Sequence, residues 1–198
     1  MKSSVRAHVV ESIQIKRRIL ESDELLDLIQ NLGEDAANVL QNSGRLLFAG
    51  NGGSFADSQH IAAEFVSKLR IDRQPLPAIA LGTNSSSLSA IGNDYGFDFI
   101  FDREIRALAS ERDLYIPIST SGNSPNVIRS VETARTLGLR VCGLTGESGG
   151  KLAQLCDCIR VPSSDTALIQ ESHIMIGHIV CSIAEQRFIE PNSVNGAV

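Results

Sequence analysis

Two stretches carry side chains that can move protons or hold a cation. In the first, His60 and Glu64 follow a glycine-rich turn, Gly50-Asn51-Gly52-Gly53-Ser54, and stand four residues apart. On a helix that spacing leaves them about 40° apart around the axis, close enough to act on one ligand or one metal. A His-Glu pair at this spacing is also a common helix-stabilising contact, so spacing alone leaves both readings open. In the second stretch, an apolar run from 166 to 188 carries Gln170, Glu171, His173 and His178. Polar groups beside Ile174-Met175-Ile176 and Ile179-Val180 need buried hydrogen bonds or a function. Helical rotation aligns Glu171 with His178, about 20° short of two turns, better than Gln170, at about 80° beyond two turns. A ligand larger than one atom could still be met by Gln170 and His178 across the same broad face.

Two further stretches suit an anion. Leu46-Leu47-Phe48-Ala49 is apolar without alternation, which predicts a strand buried on both faces, and the glycines after it let the chain turn into a helix. Ser54 is expected to cap that helix, starting at Phe55, with its free amides aimed at a ligand. Asp113 to Ile118 reads as another strand opening into Ser119-Thr120-Ser121-Gly122-Asn123-Ser124-Pro125. Pro125 fits the first turn of a helix and Ser124 its cap, so hydroxyls and a helix terminus converge there on a phosphate-sized spot. Thr145 to Gly150 is a third polar loop.

These residues need a frame. Apolar periodicity predicts an amphipathic helix over 9–28, broken near Ser22-Asp23, and a second over 31–41. Strands are expected over 45–49, 78–81, 113–118, 140–144 and 158–161. Between them come helices ending near Leu69, near Ile91-Gly92, over 97–108, over 126–137 with Gly138 as the stop, and through Leu155. Asn93-Asp94-Tyr95-Gly96 reads as a polar turn, 166–188 as a long helix, and 189–198 as a tail. Alternating strands and helices make an α/β three-layer sandwich around a five-stranded parallel sheet, with an N-terminal helical arm. A single domain is expected, with the arm at about 1–43 and the core at about 44–188. The turns at Gly50 and Ser119 then share the C-terminal edge of the sheet and can serve one pocket.

At 198 residues, 42% apolar and 21% charged, the chain suits one soluble core. A net charge of −5 speaks against nucleic acid as the principal ligand. No run approaches eighteen uncharged apolar residues and the first residues lack a signal-peptide core, so no membrane span and a cytoplasmic location are expected. Cys142, Cys156, Cys158 and Cys181 are expected to be reduced and structural, since Cys156-Asp157-Cys158 has too short a spacing for a usual zinc or redox motif. The apolar stripe of the helical arm needs cover, which a second subunit would supply.

The blocks Ala49 to Ser54, Ala56 to Glu64, Ala90 to Gly96, Ser119 to Ser124, and Ile169-Gln170-Glu171 with Gly177-His178 together resemble the phosphoheptose isomerases of the sugar isomerase (SIS) domain family. The resemblance runs from about 10 to 188. It implies a flavodoxin-like SIS fold and an aldose-ketose isomerase converting D-sedoheptulose 7-phosphate to D-glycero-D-manno-heptose 7-phosphate. That reaction supplies heptose to lipopolysaccharide or related glycans. It further implies a homotetramer with active sites at subunit interfaces. Carried over by motif, substrate contacts are Asn51, Gly52, Gly53, Glu64, Asn93, Asp94, Ser119, Thr120, Ser121, Ser124 and Gln170. One Zn2+ per subunit is implied, on His60, Glu64, Gln170 and His178, with Glu64 and His178 as the acid/base pair. The family thus prefers Gln170 where helical rotation prefers Glu171. A non-catalytic adaptor of the same family, which binds the replication initiator protein, is the rival reading, as is another sugar-phosphate isomerase or sensor. The presence of both Glu64 and His178 favours the enzyme.

Overall fold

A computed structural model describes residues 2–189; of the expected tail, 190–198 lie outside the described residues. Two helices come first, α1 (Lys2–Leu20) and α2 (Asp23–Gln41). The break falls where the sequence puts it, because the Ser22 hydroxyl accepts the Leu25 amide at 3.3 Å and caps α2. The second helix begins there and not near Asn31.

Five parallel strands follow: β1 (Leu46–Gly50), β2 (Ala78–Ala80), β3 (Leu114–Ile118), β4 (Arg140–Gly146) and β5 (Asp157–Val161), in the order β2-β1-β3-β4-β5. The expected parallel α/β sheet is therefore present. Central strands β1 and β3 are buried along their whole length, which is why they read as apolar runs without alternation. The connecting helices are α3 (Gly53–Val66), α4 (Ser85–Asp94), α5 (Ile100–Leu108), α6 (Pro125–Thr136) and α7 (Leu152–Leu155), and α8 (Thr166–Ile189) closes the fold.

Side chains of alternating strand residues feed two cores. Leu46, Phe48, Leu114 and Ile116 meet α1, α2, α3 and α8 on one face. Leu47, Ala49 and Tyr115 meet α4, α5, α6 and α7 on the other. α8 is long and apolar enough to cross a membrane by length and composition, but half of that stretch is buried inside the fold, as in a core helix.

Four local expectations change. Gly52, at φ +58°, is the N-cap of α3, and the helix starts at Gly53, so Ser54 lies inside its first turn. The positive φ is what a side chain would resist, and the turn is therefore set by glycine and not by a serine cap. α3 stops at Val66, short of Leu69, and Asn93 and Asp94 belong to the last turn of α4. The segment before α5 opens with a 3-10 turn over Phe97–Phe99.

Strand order reverses between β1 and β3, where the chain leaves β1 toward β2 on one side and returns as β3 on the other. Crevices in such sheets open beyond the strand C-termini at that point. Both polar turns, after Gly50 and after Ile118, lie there.

Candidate active site

α3 and α8 lie on the same face of the sheet and pack against each other. Their close approach depends on Gly177, where an added Cβ would collide with the buried Ile61 side chain. This contact brings together His60 and Glu64 of α3 and His178 of α8. His60 Nε2 lies 3.0 Å from His178 Nε2 and 3.3 Å from Glu64 Oε1, and one ligand atom from each of the three falls within 4.8 Å of the others. The imidazole rings meet edge to face, with centroids 5.2 Å apart.

Two imidazoles and a carboxylate with an open side are the donor set of catalytic zinc sites. Zinc-nitrogen bonds of about 2.0–2.1 Å at a tetrahedral angle set two nitrogens roughly 3.3 Å apart. The observed 3.0 Å is within a few tenths of that, so the two imidazoles have the span such an ion requires.

Gln170 is not part of this cluster within one chain. Eight residues of helix carry it about 12 Å along α8 from His178. Its amide instead packs on Gly53, where an added Cβ would come within 2.6 Å of Nε2. Glu171, the residue favoured by rotation around the helix, faces away: its carboxylate accepts bonds from Lys16 Nζ at 2.7 Å and Ser12 Oγ at 2.5 Å, both on α1. These partners hold its pKa below the usual carboxylate value.

The loop after β3 folds back on itself. Ser119 is buried and its hydroxyl lies 3.0 Å from that of Ser124, the N-cap of α6. Thr120 and Ser121 line a cavity of about 250 Å³. Ser148, in the third polar loop expected from the sequence, lines it too, with the Glu147 carboxylate and two hydroxyls that sequence reasoning did not single out, Ser163 and Ser164 after β5. The signal available for them was the density of serines directly after a strand, the same signal that marked Ser119 to Ser124. Gly146 permits the enclosure, since a Cβ there would meet the Thr120 and Ser163 carbonyls at 2.8 and 3.1 Å.

Asn51 is held by Asn126 in a reciprocal pair of amide bonds, 2.9 Å each, that ties the β1 turn to the buried first turn of α6. Gly52 and Gly53 sit beside it at the exposed start of α3. Asn93 and Asp94 are exposed at the end of α4 and bonded to each other at 2.8 Å.

Two supports were not visible in the sequence. Arg73, in the connection after α3, makes a buried 3.0 Å ion pair with Glu185 of α8, and its guanidinium donates to the Glu64 and Phe65 carbonyls at 2.9 and 2.8 Å. Glu185 in turn accepts the Leu69 and Arg70 amides. Asp57, one turn before His60, keeps a buried Oδ2 with no hydrogen-bond partner, and burial raises its pKa against the pull of His60. His173 is not in the site: it is fully buried, with Nε2 3.2 Å from the Thr145 carbonyl, and burial pushes its pKa down to about 4.

Residues 10–146 match the SIS domain. The chain belongs to the SIS domain family and, within it, to the phosphoheptose isomerases, which are aldose-ketose isomerases. It is 51% identical over 187 residues to the phosphoheptose isomerase of Aneurinibacillus thermoaerophilus, with 94% of each chain covered. The solved phosphoheptose isomerase of Neisseria gonorrhoeae is 41% identical, with a TM-score of 0.87 over 93% of this chain and 98% of its own. That of Francisella tularensis is 36% identical, with a TM-score of 0.89 over 93% and 97% of the two chains.

Proposed function

We propose that the protein converts D-sedoheptulose 7-phosphate to D-glycero-D-manno-heptose 7-phosphate through a cis-enediol, feeding heptose into lipopolysaccharide or related glycans. The observation that carries this reading is the meeting of His60, Glu64 and His178 on the face where α3 leaves the glycine turn. Moving a proton between C1 and C2 needs a base at carbon and an acid at oxygen. Glu64 is the base. Its Oε1 faces His60, which leaves Oε2 for the carbon-bound proton. His178 serves ring opening and proton transfer to oxygen.

Zn2+, one per subunit, is the ion this reading implies, held by His60, Glu64 and His178, and when bound it polarises the carbonyl. A ring nitrogen that holds the ion cannot also carry a catalytic proton, so ligation through Nε2 leaves Nδ1 of His178 for that task. Gln170, about 12 Å from the cluster along α8, binds substrate within its own chain and can reach a metal only in a neighbouring copy. Hydroxyls of Ser119, Thr120, Ser121 and Ser124, with the first-turn amides of α6, take the phosphate, so that binding energy remote from the reacting carbons orients them. Asn51, Gly52, Gly53, Asn93 and Asp94 complete the grip on the sugar.

A homotetramer with active sites at subunit interfaces goes with this reading. It is supported by α1, which leaves Val5, Val9, Val10, Ile13 and Leu20 exposed. A phosphorylated metabolite as substrate also suits residence in the cytoplasm. The test is an isomerase assay on sedoheptulose 7-phosphate, with and without a chelator, for wild type, Glu64→Gln and His178→Gln. Loss of turnover in both variants and entry of solvent deuterium at C1 or C2 are expected. Full activity in both variants would overturn the assignment.

A further inference from the structure

From the geometry of Cys156 and Cys158 we infer a second metal site, a dithiol chelate for a thiophilic d10 cation such as Zn2+ or Cd2+, at the end of the sheet opposite the active site. The two sulfurs lie 3.9 Å apart, both half-buried, where the chain leaves α7 and enters β5. Two sulfurs bound at about 2.3 Å to one tetrahedral ion stand roughly 3.8 Å apart, so the pair already has the span that an ion would impose. A spacing of one residue is too short for a chelating loop. On an extended strand, however, residues two apart point to the same face, and Cys156 is extended, at φ −153° and ψ 167°.

The same extension argues against a disulfide as the pair's purpose. Two residues of strand put the Cα atoms about 6.6 Å apart, at the upper limit for a disulfide, which would be strained and readily reduced. Space for the sulfurs is provided by β4: a Cβ at Gly143 would come within 2.9 Å of Cys158 Sγ. An open groove of about 490 Å³, lined by Cys156 and Asp157 together with Arg135 and Arg140 but not by Cys158, gives an ion and its remaining water ligands a path to the Cys156 side of the pair. β5 separates this place from the hydroxyl cavity by on the order of 15 Å, so the two sites can be occupied independently. Thiolates also set it apart chemically from the histidine cluster, because softer ions prefer sulfur.

The experiment is titration of the reduced full chain with Cd2+ under anaerobic conditions, reading the ultraviolet thiolate-to-cadmium charge-transfer band, to which imidazole and carboxylate ligands do not contribute. A band saturating at one Cd2+ per chain is expected, lost in C156S and in C158S and kept in C142S, C181S and H178Q. Circular dichroism identical to wild type confirms that the serine variants fold. Absence of a band at stoichiometric Cd2+, or a band that survives C156S and C158S, would overturn the site.

Discussion

Arg73 and Glu185 form a buried ion pair, 3.0 Å from Nη2 to Oε1, that fastens the end of α3 to α8. Arg73 holds the main-chain carbonyl of Glu64, so a charge pair outside the crevice sets the height of the residue proposed as base. Removing one partner leaves the other charge buried and alone. Glu185→Gln or Arg73→Met is expected to cost about 3–5 kcal/mol in urea unfolding, and the combined Arg73→Met, Glu185→Leu chain to recover a large part of it.

Metal binding should be readable as stability. With Zn2+ at a hundred times its dissociation constant, wild type is expected to gain about 2.7 kcal/mol. In a C156S, C158S background, where the dithiol cannot contribute, the gain should vanish on adding His60→Gln or His178→Gln, measured by thermal unfolding with the chelator-treated protein as reference. An equal gain in all three proteins would place the ion elsewhere.

Gly177→Ala separates the helices that carry the cluster. Its methyl group enters the space of the Ile61 side chain, and overpacking of this kind costs about 1–3 kcal/mol. Metal affinity, read by competition with a chromogenic chelator, should fall more than in a chain with alanine at half-buried Gly92, where a Cβ meets nothing within 4 Å.

His173 makes stability depend on pH. Its pKa, about 4 in the fold, lies below the ordinary 6.5, so between these values the unfolded chain binds a proton that the native chain does not. The contribution is complete above pH 6.5 and is lost as pH falls toward 4, by about 3 kcal/mol over the whole window. Unfolding free energies measured across that range should decline less steeply in His173→Gln.

The apolar stripe of α1 tests the assembly. Val9→Asp with Ile13→Asp, both exposed in the single chain, should shift sedimentation from the proposed tetramer to smaller species while circular dichroism stays unchanged. Persistence of the tetramer would remove α1 from the interface.

The fold was legible because its signals are local. Leu46 to Ala49 shows no alternation since β1 is buried on both faces, and Ser22 marks a cap by its type alone. Glycine turns and serine-rich loops after strands likewise show where the crevice lies. The choice between Gln170 and Glu171 was not legible from rotation around the helix. An angle takes no account of Lys16 and Ser12 on α1, which claim Glu171. Arg73 and Glu185 each read as a surface charge, because their partner lies far along the chain and only the packing of α8 on α3 buries both.

That packing also sets an order of events during synthesis. Domains emerge from the ribosome N-terminus first, and α8 is the last described helix. Until it arrives, a nascent chain has all five strands and two of the three cluster residues, while Leu32, Ala36, Ile61 and Phe65 lack the cover that α8 provides. The step that hides this sticky surface from chaperones is the same one that delivers His178. A chain released before that point lacks one of the three cluster residues and keeps that apolar surface uncovered.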